Sequence, residues 1–212
     1  MASIVSHIIY AKKYFEKLET GEIKNGRVEN LDKDEFILGC VFPDIRSIAE
    51  EITRQDSHLH FNPIDLNFKN LTSFEAGWKF HLYCDMKRDE ILNKYNFYNL
   101  KNTTDFYSGS AKLLEDELVY NEYANWEKLI LYFNHPPYIK TDLDIDKNTF
   151  QLWYAMAAKY MERKPDNKSM RVFLSKLPKR AKKARNIVES VSELRENKKA
   201  CELLLQVKEE IV

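Results

Sequence analysis

A chain of 212 residues with Lys+Arg and Asp+Glu balanced at 33 each carries no formal net charge, which excludes a global field drawing it to nucleic acid or an anionic membrane. Five glycines and six prolines against twelve tyrosines and twelve phenylalanines leave little material for turns and favour helix throughout. The three cysteines, Cys40, Cys84 and Cys201, lie far apart and outside any CxxC spacing, so neither a disulfide framework nor a cysteine zinc knuckle is expected.

The opening MASIVSHIIYAKKYFEKL has a short apolar run with no basic segment ahead of it, which predicts no signal peptide. No stretch reaches the roughly 18 apolar residues of a membrane span, and the expected location is the cytoplasm. Ile4, Ile8, Ala11, Phe15 and Leu18 recur at helical spacing and Gly21 supplies a stop, so residues 3–19 read as an amphipathic helix with His7 close to its inward face. After a polar turn, EFILGCVFPDI reads as a short buried helix. Pro43 ends or turns it, because proline cannot continue the hydrogen-bond ladder and restricts the residue before it. Asp44 then sits at a corner where flanking Phe42 and Ile45 anchor the turn and a short side chain is aimed inward.

The stretch RSIAEEITRQDSHLHFNPIDLNF starts helical and gives way to loop around Pro63, with His58 and His60 in the irregular part. From Thr72 to about Tyr95 the periodicity is the clearest in the chain, and Thr72 with Glu75 forms a capping box. Further helices are expected near 103–119, 121–133, 148–163, 167–176 and 179–211, with a break at NHPPYIKTDLDIDKN. The expected architecture is all-α: a single multi-helix bundle over 1–212, with a buried metal-site cleft built by residues 1–95 and with 96–212 packing around or covering it.

His81 and Asp85 lie one turn apart, so both project from the same helix face. Their neighbours Phe74, Gly77, Trp78 and Leu82 are apolar or small, and an unpaired carboxylate there is expensive without a cation or a hydrogen-bonded partner. Taken alone, the pair favours a satisfied core histidine and a rim carboxylate beside Lys87 and Arg88. Four of the five histidines, His7, His58, His60 and His81, fall in the first 81 residues, each in or beside an apolar segment. With Asp44 and Asp85 they offer the imidazole and carboxylate mix expected of zinc or a similar divalent ion in a hydrolytic site.

The order SH (His7), FILGCVFPDIR (Asp44), RQDSHLHF (His58, His60) and FEAGWKFHLYCD (His81, Asp85) resembles the zinc-dependent phospholipase C family, in particular its small cytoplasmic bacterial members, over residues 3–95. The resemblance implies an all-helical fold with a metal cluster in a cleft and hydrolysis of a phosphodiester by metal-activated water. It implies His7, Asp44, His58 or His60, His81 and Asp85 as ligands. The resemblance favours His58 for the third position, because SHL after a basic residue is similar to the pattern of the small members, while an extended i, i+2 stretch is able to aim both rings the same way. The secreted members carry an amino-terminal tryptophan ligand and a later HxxxE pair, and neither occurs here, so one or two ions are implied rather than three. Zinc is the expected ion, with manganese or iron as alternatives.

Asp44 and Asp85 are the candidate catalytic carboxylates, and Arg46 and Arg54, which flank the ligands, are candidates to steady charge on a phosphate. The expected partner is a small soluble phosphoester rather than a phospholipid. The basic stretch KLPKRAKKAR at 176–185 reads as a solvated face, so nucleic acid is not the expected partner. His135, before two prolines, reads as a loop residue, and Trp78, Trp126 and Trp153 read as core. No GxSxG, Gly-rich phosphate loop or adjacent His-Asp dipeptide occurs. The competing expectation is a non-catalytic helical protein in which the same residues form a structural metal site or a satisfied polar core.

Overall fold

In a computed structural model, which describes residues 3–23, 31–100 and 107–212, the chain forms eleven α-helices and no strand among the described residues. They are α1 (Ile4–Glu19), α2 (Lys33–Val41), α3 (Arg54–His58), α4 (Ser73–Lys94), α5 (Tyr107–Val119), α6 (Trp126–Asn134), α7 (Lys147–Met161), α8 (Asn167–Ser175), α9 (Pro178–Ala181), α10 (Ala184–Arg195) and α11 (Lys198–Glu210). The all-α bundle expected from composition is what forms. No described helix is long and apolar enough to cross a membrane.

Local signals place the first helices as read. Gly21, at φ +76°, stands two residues after α1, where a left-handed residue costs glycine nothing. Thr72 accepts from the Glu75 amide and Glu75 reaches back to Thr72, closing the capping box at the start of α4. Three boundaries differ from expectation. Thr53 and Asp56 form a second capping box, so His58 ends a short helix instead of lying in loop. The segment 179–211 divides into α9, α10 and α11, because Asn197 caps a fresh helix by accepting from the Ala200 amide. The expected helix 121–133 begins at Trp126, after a 3-10 turn at Tyr120–Glu122. The 103–106 start of the helix that becomes α5, and residues 24–30 of the polar turn, lie outside the described residues.

α2 and α4 cross closely, and two glycines make it possible. A Cβ on Gly39 would meet the Phe74 carbonyl oxygen at 2.0 Å, and one on Gly77 would meet the Phe36 carbonyl oxygen at 1.9 Å. Each glycine is thus a notch that receives the other helix's backbone. Around this crossing pack Phe36, Phe42, Phe74, Trp78 and Phe80, all at most 1% exposed, joined by edge-on and tilted ring contacts. α1 lies against α2, α4 and α5; α10 and α11 close over α5, and α6 pairs with α7.

The last carbonyls of α2 lie at the end of its hydrogen-bond ladder, and although the Phe42 amide reaches Leu38 O and Gly39 O, neighbouring side chains also meet three of them. Tyr154 Oη donates to Leu38 O at 2.7 Å, Trp153 Nε1 to Val41 O at 3.0 Å, and His81 Nδ1 contacts Cys40 O at 2.8 Å. The third of these contacts is where the packing of the bundle begins to build a site.

Candidate metal centre

His81 lies one turn beyond the Gly77 notch and meets the residue next to Gly39, so the close α2–α4 crossing is what brings its ring to the Cys40 carbonyl. His7, in the first turns of α1, contacts the Ser3 carbonyl through its own Nδ1 at 2.6 Å. In both rings the carbonyl partner makes Nδ1 the protonated nitrogen and leaves Nε2 as a lone-pair donor. Both Nε2 atoms are buried with no hydrogen-bond partner.

The two nitrogens converge on one carboxylate. His7 Nε2 lies 3.6 Å from Asp85 Oδ1 and His81 Nε2 lies 3.8 Å from Asp85 Oδ2, and the ligand atoms of the three residues all lie within 4.8 Å of one another. A tetrahedral zinc spaces its nitrogen and oxygen ligands about 3.3 Å apart. The two measured contacts exceed that spacing by a few tenths of an ångström, and the three residues form a group able to hold a metal ion.

The protonation states suit the same use, since ligands must be unprotonated. Burial pushes the His7 imidazole below its ordinary range and the His81 imidazole well below it, against the pull of Asp85. Burial pushes the Asp85 carboxyl up, but Lys112, His81 and His7 outweigh it and hold the group well below the usual carboxylate range. At neutral pH this is two neutral imidazoles and one anion.

Two more of the expected ligands stand beside the three. The His58 ring meets His81 edge-on with centroids 5.5 Å apart, and its Nδ1 lies 2.8 Å from Ser57 Oγ. Trp78 Nε1 donates to Ser57 O at 2.7 Å, which pins α3 to α4 and fixes His58 there. Asp44, 2% exposed, sits in the 3-10 turn Phe42–Ser47. Burial raises its carboxyl, and neighbouring positive charge, that of Lys112 included, more than offsets that and leaves it well below the usual carboxylate range. Arg46 approaches Asp44 Oδ1 at 3.7 Å.

The other candidates stand apart. His60 stacks on Trp78 with centroids 4.3 Å apart, and its Nδ1 lies 3.6 Å from Asp142 Oδ2, so it is not in the group of converging ligand atoms. Arg54 is exposed at the start of α3. Where sequence reading left His58 and His60 open, the short α3 helix brings His58 to His81.

Sequence reading missed Lys112. This α5 residue is 6% exposed, and its ammonium pairs with Asp85 Oδ1. Next to it α5 carries Glu115 and Asp116, both 0% exposed. Arg88 Nε donates to Glu115 at 2.7 Å, Tyr10 Oη donates to the other Glu115 oxygen, and Ser3 and Ser6 donate to Asp116. The available signal was the apolar surround of Lys112, Glu115 and Asp116: Ala111, Leu113, Leu114 and Val119 leave the helix no wet face for those charges.

No family model, curated protein or solved structure matches this chain. A functional reading therefore rests on these side chains. The edge of the cluster that meets solvent is formed by the Asp85 and Arg46 side chains, 17% and 18% exposed, while the histidines are closed off behind them.

Proposed function

We propose that this chain is a divalent-metal-dependent hydrolase of a phosphate ester or phosphodiester, similar in its site to the phospholipase C family and acting on a small soluble substrate. The observation that carries the reading is the convergence of two buried, unpartnered Nε2 atoms on the Asp85 carboxylate. Buried polar atoms without partners are costly, and three lone-pair donors facing one point share one remedy. His7, His81 and Asp85 would hold the ion, with His58 and Asp44 beside them. Zinc suits this donor set best, manganese and iron being the alternatives. A bound ion would supply Lewis acidity toward a phosphoryl oxygen and lower the pKa of a water molecule.

The protein's own part is positioning and charge. Arg46, at the wet edge, offers its guanidinium to a phosphoryl oxygen. Asp44, held ionised, faces Arg46 at 3.7 Å and adds negative charge beside the three ligands. His7 and His81 are each 1% exposed, and Phe42, Ile45 and Trp78 are buried in the core. The free thiols Cys40, Cys84 and Cys201 fit a reducing compartment, in keeping with a cytoplasmic location.

One observation favours a second reading, that of a non-catalytic helical protein with a polar core: the Lys112 ammonium already satisfies Asp85. Elemental analysis of protein purified without chelator, together with turnover of bis-p-nitrophenyl phosphate, separates the two. The hydrolase reading expects a bound divalent ion and turnover abolished by chelation. Protein that stays metal-free and inactive at saturating zinc, manganese and iron overturns it.

A further inference from the structure

Resting on the metal-centre reading, we infer that the centre takes a single divalent ion, and that Lys112 stands where a second, carboxylate-bridged ion would bind and supplies positive charge in its place. Two-metal hydrolytic sites need a carboxylate that offers one oxygen to each ion. Asp85 is the bridge this cluster has, and its Oδ1 is in contact with the Lys112 ammonium. The lysine is not a surface group folded inward, because it projects from α5 and its side chain is 7% exposed. Its charge lowers the His7 imidazole and helps hold the Asp44 and Asp85 carboxyls down.

Among the described residues the remaining donors do not assemble a second converging set, and His58 has its Nδ1 on Ser57 Oγ. Each of His7 and His81 has one nitrogen on a backbone carbonyl and so offers one ligand atom. His60 is turned onto Trp78 and toward Asp142, and Asp44 is faced by Arg46. Charge leads to the same count. The carboxylates of Asp44 and Asp85 already face the cations of Arg46 and Lys112, so one dication adds net positive charge to the cluster for an anionic substrate. A second dication would be added against Lys112 with no carboxylate left to compensate it.

Lys112 and the ion therefore compete for Asp85, which fixes the sign of a test read by metal binding and not by turnover. Zinc is titrated into chelator-treated protein in competition with a chromophoric chelator, for wild type, Lys112→Gln and Lys112→Arg, with helical circular dichroism recorded for each. Wild type is expected to take up one equivalent. Lys112→Gln is expected to bind the first equivalent at least tenfold more tightly or to accept a second, and Lys112→Arg, which keeps the charge, to stay within about threefold of wild type with one equivalent. Two equivalents in wild type overturn the inference, as does a folded Lys112→Gln whose affinity is unchanged or tenfold weaker, the result if the lysine only positions Asp85. If Lys112→Gln does not fold, the Lys112→Arg stoichiometry and the wild-type count decide. Wild type that binds no zinc at all is a different result and removes the metal reading itself.

Discussion

The His7 and His81 rings stack face to face, with centroids 4.0 Å apart and planes 9° from parallel. Each is held by its Nδ1 on a backbone carbonyl, so neither ring turns without breaking a buried hydrogen bond. The stack tolerates two neutral imidazoles and opposes two charged ones, in agreement with burial pushing both below their ordinary range. Replacing His81 by alanine removes one of the converging nitrogens and unlocks the other ring. Under the proposed function, turnover of bis-p-nitrophenyl phosphate should fall by more than about 100-fold, beyond the effect of outer-shell changes, with bound zinc lost and the circular dichroism of the helices kept. Equal turnover in the variant would exclude His81 from the chemistry.

An ion that binds only the folded chain stabilises it by mass action. At a hundredfold excess over the dissociation constant the gain is about 2.7 kcal/mol, which for a chain of this size corresponds to roughly 5 to 10 °C in Tm. Thermal melts of chelator-treated protein with and without added zinc should show this rise, and Asp85→Asn should reduce it. A Tm that does not respond to zinc, manganese or iron would favour the polar-core reading.

The α2–α4 crossing depends on two absent side chains. Gly39→Ala or Gly77→Ala drives a methyl group to about 2 Å from a backbone carbonyl oxygen of the facing helix, and backbone is less able than a flexible side chain to move aside. Each substitution should cost about 3 kcal/mol, seen as a lowered urea midpoint, and should weaken metal binding because the Cys40 carbonyl and His81 separate. A variant as stable as wild type would show that the helices cross less closely.

Arg88 and Glu115, 1% and 0% exposed, form a buried ion pair at 2.7 Å. Glu115→Ala leaves the Arg88 guanidinium with Asp89, a mostly exposed carboxylate 4.0 Å away, and should cost about 3 to 5 kcal/mol. The double replacement Arg88→Met with Glu115→Leu should recover most of that loss, since removing both charges leaves neither uncompensated. Urea unfolding of the two single variants and the double one gives the coupling directly, and additive losses would contradict a buried pair.

Burial pushes the Asp116 carboxyl up to about 6, against hydrogen bonds from Ser6 and Ser3 that lower it. An unfolded chain holds this group near its ordinary 3.8, so the folded state binds the proton more tightly. The stabilisation is complete below about 3.8 and is lost as pH rises through about 6, an effect of about 3 kcal/mol. Asp116→Asn does not titrate, so its stability relative to wild type should rise by about that amount between roughly pH 4 and 6. His58, pushed down to about 4 by burial, acts with the opposite sign, favouring the fold above its ordinary 6.5 and losing that contribution as pH falls. It is present in both proteins and cancels in the difference, whose constancy across pH would place Asp116 in water.

What the sequence determined by itself is local. The period of α1 and α4, the Thr72 capping box, the Gly21 stop and the shared face of His81 and Asp85 depend on backbone hydrogen bonds and spacing within a few residues. The inward turn of Asp44 after Pro43 was legible for the same reason. The sequence also indicated that a buried Asp85 needs a cation or a hydrogen-bonded partner. What only the tertiary structure decided is which partner arrives. His7 reaches His81 across a separation of most of α1 to α4, and a lysine 27 residues beyond Asp85 reaches its carboxylate. Those meetings follow from which helix faces dock, and the docking is governed by two glycine notches and by the side chains that reach the C-terminal carbonyls of α2. Neither is visible as a pattern along the chain, because each pairs one residue with a backbone atom of a different helix.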